Sequence, residues 1–259
     1  MKKILVSTIS FVNKEKNGTE IYTTFAKRLI NDVITKTPFD ILVSTNEVDY
    51  FNDLEKNNRI TIRNCDLGTH KTNVKAFNQL LKFYSIKDIN EEYEWVLYMD
   101  CDAGFTTQIN VDDVINYLNT LDSKNFDMSA LRTDATYDTA KKEYIESNGR
   151  TSYPKPLFND KFIFYGINDE WSGAKLPSEH ILLIKNNNKL SKMCEIFEQF
   201  CYKFESQDPN NVITYDMEAF EIGVSAKLSG YNVAEMTWGR QNDLFKVGFN
   251  FNNREKIKR

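Results

Sequence analysis

Apolar residues recur along this chain in two rhythms. Short, mostly apolar runs, Ile4–Ile9, Phe39–Ser44 and Trp95–Met99, are rich in β-branched and aromatic residues and predict buried strands. Arg59–Arg63 predicts a further strand. Between the runs, apolar residues return every three or four positions. Ile21, Phe25, Leu29 and Val33 share one face of a helix predicted from Thr19-Glu20 to about Thr35, with Pro38 ending the unit. Val74, Phe77, Leu80, Leu81 and Tyr84 do the same for a helix over Asn73–Tyr84. The order β-α-β-β-α-β predicts a mostly parallel sheet covered by helices, an α/β fold.

The rhythms continue beyond Asp100. A helix is expected over Val111–Leu121 with Asn110 as its N-cap, then a strand at Met128–Leu131. Thr133–Asp160 is polar, carries Pro154 and Pro156, and reads as a long loop or small excursion of the kind that serves function. Strands are predicted at Lys161–Tyr165 and His180–Ile184. Helices follow at Leu190–Glu205 and Asp216–Leu228, the second stopped by Gly230. From Trp238 to Phe251, aromatic and polar residues alternate loosely. With no internal repeat and no linker, a single domain over residues 1–259 is the simplest organisation.

Composition narrows the classes. A hydrophobic fraction of 41% and 13% aromatics belong to a packed globular chain. Thirty-three basic against 37 acidic residues, net −4, give no support to a global nucleic-acid-binding surface. Cys65, Cys101, Cys194 and Cys201 form no CxxC pair and read as reduced, mostly buried thiols of a cytoplasmic protein. The apolar start Ile4-Leu5-Val6 is too short for a signal-peptide core, and no run approaches the roughly 20 apolar residues that cross a bilayer. The basic end, Arg254, Lys256, Lys258 and Arg259, is a solvated tail or a peripheral contact with an anionic membrane.

One segment carries chemistry. In Trp95-Val96-Leu97-Tyr98-Met99-Asp100-Cys101-Asp102, a buried strand stops at two carboxylates spaced i, i+2. Ligands of open α/β sheets bind at the carboxyl ends of strands. Two acids placed there call for a compensating cation, and an all-oxygen site completed by phosphates suits Mn²⁺ or Mg²⁺ better than Zn²⁺.

With these residues, the chain resembles nucleotide-sugar-dependent glycosyltransferases of the GT-A fold. Residues 95–105 are similar to the metal-binding strand end of the family of blood-group and α-1,3-galactosyl transferases. Ser178–Asn186 looks like the acceptor-side strand of such enzymes, and Tyr215–Gly223 like the helix start that carries their acidic catalytic residue. The resemblance implies a single GT-A domain with a smaller acceptor-side sheet. Residues 1–105 would form the nucleotide-sugar half, 106–250 the acceptor half and 251–259 the basic end. It implies a UDP-sugar donor (GDP- or CMP-sugars come second), Asp102 as direct metal ligand, and Asp100 on the ribose or on the metal through water. Many GT-A enzymes add a C-terminal histidine to the metal. Here His70 and His180 lie elsewhere, so Asp102 and the diphosphate hold the ion with little else, or Asn242 or Asp243 substitutes.

Around that centre the expected site is wider. Thr8, Ser10 and Phe11, at the end of the first strand, are placed on the nucleoside pocket. Phe11 either stacks on the base or is an ordinary strand-end aromatic. Lys71 and Lys75, four apart, face the diphosphate, pair with Asp100, or simply meet solvent. Glu218 first and Asp216 second are the candidate catalytic acids, Asp216 serving alternatively as an N-cap. Whether they act with inversion or retention stays open. Trp171, Glu179 and Trp238 are placed on the acceptor, expected to be a saccharide or another hydroxyl compound, with a modified DNA base as an alternative. The competing functions are a nucleotidyltransferase, for which residues 7–20 offer just Gly18 in place of a Gly-rich loop, and a non-catalytic carbohydrate- or nucleotide-binding module.

Overall fold

A computed structural model describes residues 2–12, 21–54, 56–65, 82–136, 175–205 and 217–249. Its strands are β1 (Ile4–Ser10), β2 (Asp40–Thr45), β3 (Ile60–Asn64), β4 (Trp95–Met99), β5 (Ala103–Phe105), β6 (Met128–Thr136), β7 (Lys175–Lys185), β8 (Val233–Met236) and β9 (Val247–Phe249). Its helices are α1 (Ile21–Lys36), α2 (Val111–Ser123), α3 (Asn188–Glu205), α4 (Met217–Ser229) and α5 (Trp238–Phe245), with a 3-10 turn at Val48–Phe51 and helical backbone at 82–86.

Seven strands form one sheet in the order β3-β2-β1-β4-β7-β6-β8, and β5 pairs with β9 in a separate two-stranded sheet. β1 lies parallel to both β2 and β4, and β2 parallel to β3. β7 runs against both of its neighbours, β4 and β6, while β6 and β8 are parallel. The expected mostly parallel α/β sheet is therefore present, together with a small second sheet.

Alternation along the central strands divides the core into two layers. Ile4, Val6, Ile41, Val43, Trp95, Leu97, Ile181 and Leu183 pack with α1, α2 and α5 on one face. Leu5, Leu42, Val96, Tyr98, Leu182 and Ile184 pack on the other with Phe83, Ile86, α3 and α4. All of β4 is buried, which is why its sequence is apolar at every position. Asn110 caps α2, its side chain accepting from the Asp112 N–H at 3.1 Å. Gly230, at φ +85°, closes α4 while the Tyr231 N–H reaches Ala226 O at 2.9 Å, a Schellman ending.

Some boundaries moved. β6 and β7 extend beyond Met128–Leu131 and His180–Ile184, because each supplies the other's ladder through a shifted register. Within Trp238–Phe249 the chain forms a helix and a strand where a loose alternation is expected from sequence. The strand at Lys161–Tyr165, residues 137–160 of the polar segment and the basic end lie outside the described residues. Cys65, Cys101 and Cys194 are buried free thiols, as anticipated. Among the described residues, no helix is long and apolar enough to cross a membrane.

Candidate functional site

The chain leaves β1 toward β2 and β3 on one side, then returns to place β4 on β1's other side. Such a reversal opens a crevice outside the carboxyl ends of the two strands. Asp100 and Asp102 follow β4 at this crevice, and Phe11 and Val12 follow β1. The Ala103 N–H donates to Asp100 O at 2.9 Å, closing a tight turn that carries both carboxylates into β5. Cys101, inside that turn, points into the core with α1 and β5. Asp102 is only 4% exposed.

Asp100 is held from below. Lys82 Nζ lies 3.1 Å from its Oδ1, and the Tyr98 hydroxyl donates to the same oxygen at 2.9 Å. Both partners are mostly buried, so the charge on Asp100 is balanced within the protein. Lys82 is fixed in turn by the backbone that carries it. Ser7 donates to Ser85 O, and the Arg63 guanidinium donates to Tyr84 O at 3.1 Å and Lys87 O at 2.7 Å. These bonds satisfy carbonyls at the end of the helical stretch and suit a cation there.

The β1 side of the crevice is polar and buried. Thr8 and Ser10 are fully buried, and their hydroxyls have no hydrogen-bond partner among the described residues. Phe11 is half-buried. The side-chain amide of Asn46, just past β2, accepts from the Val12 N–H at 2.9 Å and donates to Val12 O at 2.8 Å. Beneath Lys82, a small apolar cavity is lined by Tyr98, Leu182, Met193, Cys194 and Phe197. Burial pushes the Cys194 thiol up to about 12, which makes it a packing group rather than a nucleophile.

The structure thus brings Thr8, Ser10, Phe11, Asp100 and Asp102 to the carboxyl ends of two adjacent central strands. Lys71, Lys75, Asp216 and Trp171 lie outside the described residues. Glu218 falls in the first turn of α4, Glu179 within β7 and Trp238 at the start of α5 by backbone position; their side chains lie outside the description. Asp243 is exposed on α5. Lys82, the partner found for Asp100, was missed by sequence reasoning. Its signal was present: it stands seven residues after Lys75, on the same face of the helix predicted over Asn73–Tyr84.

Among the described residues, no three His, Cys, Asp or Glu side chains converge as a ready cation cage. The donor set is two carboxylates, one of them already engaged by an ammonium and a phenol. That chemistry fits a hard ion bound largely by waters and substrate phosphates, and not a closed nitrogen-sulfur zinc site. No protein-family model matches this chain, and no curated protein matches it.

Proposed function

We propose that the protein is a glycosyltransferase, moving a sugar from a nucleotide diphosphate sugar, UDP-linked in the first instance, to a hydroxyl acceptor. One observation carries this reading: the Asp100–Asp102 turn stands at the carboxyl end of β4, where the order of the sheet reverses beside β1. The mostly parallel sheet and the smaller second sheet accord with the GT-A resemblance of residues 95–105.

In this reading Asp102 is the carboxylate that holds Mn²⁺ or Mg²⁺. The bound ion supplies Lewis-acid stabilisation of the departing diphosphate. Lys82 and Tyr98 hold Asp100 in one orientation, ready to accept from a ribose hydroxyl or an ordered water. Thr8, Ser10 and Phe11 wall the nucleoside. Glu218, with Asp216 second, serves the acceptor hydroxyl as base, or the sugar as nucleophile, from the start of α4.

A thermal-shift series with UDP, GDP and CMP, each with and without Mn²⁺, tests the donor site. Nucleotide diphosphate at about 100 times its Kd should stabilise by about 2.7 kcal/mol when Mn²⁺ is present. Asp102→Asn should fold normally and lose the Mn²⁺ dependence. Metal-dependent binding that survives this substitution, or no diphosphate response in the unaltered protein, would refute the reading. Slow Mn²⁺-dependent hydrolysis of UDP-sugars then separates a transferase from a binding module.

A further inference from the structure

Resting on the donor reading above, we infer that Asn46 is a positioning residue for nucleoside recognition, acting through Phe11. The parallel ladder between β1 and β2 ends at the Ser10–Thr45 pair. Beyond it the Asn46 amide engages both backbone polar groups of Val12, at 2.9 and 2.8 Å, as a further rung would. An amide can do this because it offers an acceptor and a donor at once; a carboxylate or an aliphatic chain of the same size cannot. Phe11 lies between the last ladder rung and this side-chain rung, so its backbone is held at both ends. Val12 is itself buried at 7% exposure, which anchors the far side. Thr45, next to Asn46, has its carbonyl taken by the Cys65 N–H at 2.8 Å and its hydroxyl by the Glu47 N–H at 3.1 Å. Asn46 therefore stands on a fixed base, and what it fixes is the segment carrying Phe11. A ring carried on backbone fixed in this way gives up less conformational freedom on stacking against a base, which is where such preorganisation raises affinity.

The experiment measures UDP and inorganic pyrophosphate binding, both with Mn²⁺, in the unaltered protein, Asn46→Leu, Phe11→Ala and the double variant. Phe11→Ala should weaken UDP about tenfold through lost stacking. Asn46→Leu should weaken UDP by a similar factor, about tenfold, while leaving pyrophosphate affinity unchanged. In the Phe11→Ala background, Asn46→Leu should have no further effect on UDP. A purely structural Asn46 would lower the melting temperature without separating UDP from pyrophosphate. Asn46→Asp, which keeps the acceptor and loses the donor, serves in the same cycle if the leucine variant does not fold. UDP binding unchanged by either Asn46 substitution, or losses that multiply with Phe11→Ala, overturns the inference. Failure of the unaltered protein to bind UDP with Mn²⁺ would instead strike the donor reading itself, visible in the first measurement.

Discussion

Lys82 and Asp100 form the pair on which the geometry of the crevice turns. Their side chains are 11% and 17% exposed, so water does little to solvate either charge. Removing one member of such a pair leaves a poorly solvated ion, whereas removing both leaves none. Lys82→Met or Asp100→Asn alone should each cost about 3 kcal/mol in urea unfolding. The double variant should cost less than the sum by about 1–2 kcal/mol. Strict additivity would show that water, and not Lys82, balances Asp100. Arg59, like Arg63, serves backbone carbonyls. Its guanidinium donates to Ile34 O at 3.2 Å, Thr37 O at 2.8 Å and Phe39 O, closing the end of α1. Arg59→Met should lower stability by about 2 kcal/mol without touching UDP binding, as charged hydrogen bonds to backbone carbonyls typically weigh that much.

Elements were legible where the chain writes its own pattern. β1, β2 and β4 are buried on both faces, so their apolar runs are visible without knowing their neighbours. The helices α1, α2 and α3 announce themselves by stripes, α2 also by Asn110 at its start, whereas α4, buried at every position from 222 to 226, is marked by Gly230 at its end. β5 has three residues, and its partner β9 lies far along the chain, so nothing local marks it as a strand. The eight residues of α5 include Gly239 and lack a long stripe. The carboxylate pair was readable because a strand end precedes it; the sequence also offered lysines at helical spacing before that strand, but which of them meets Asp100 is a long-range matter that no local pattern decides. The same long-range fit constrains Gly104. A Cβ there would come within 2.5 Å of Asp32 Oδ2, a carboxylate only 7% exposed and bound by Lys36 at 2.5 Å. Gly104→Ala should therefore cost about 1–3 kcal/mol, and much less in an Asp32→Ala background. Equal losses in both backgrounds, measured by thermal unfolding, would place the strain elsewhere.

At the scale of the molecule, the sheet separates two apolar layers, and the layer holding Cys194 and Tyr231 sets a pH response. Burial raises both groups, Cys194 from near 9 to about 12. An acid whose folded pKa is raised stays protonated in the fold while the unfolded chain has already released its proton. Stability is then unaffected below pH about 9 and declines from there to about 12, by about 1.4 kcal/mol per pH unit for one such thiol. Urea midpoints between pH 8 and 10.5 should show this decline, and Cys194→Ala should flatten it; an equal slope in the variant would assign the proton to another group. The pairing of β5 with β9 has a consequence for how the protein is made. Ala103–Phe105 emerges from the ribosome long before Val247–Phe249, and the Thr106 N–H and hydroxyl wait for the carbonyl of Lys246, 2.6 and 2.7 Å away in the finished fold. The neighbourhood of Asp102 is thus completed late, after the strands of the central sheet have been synthesised.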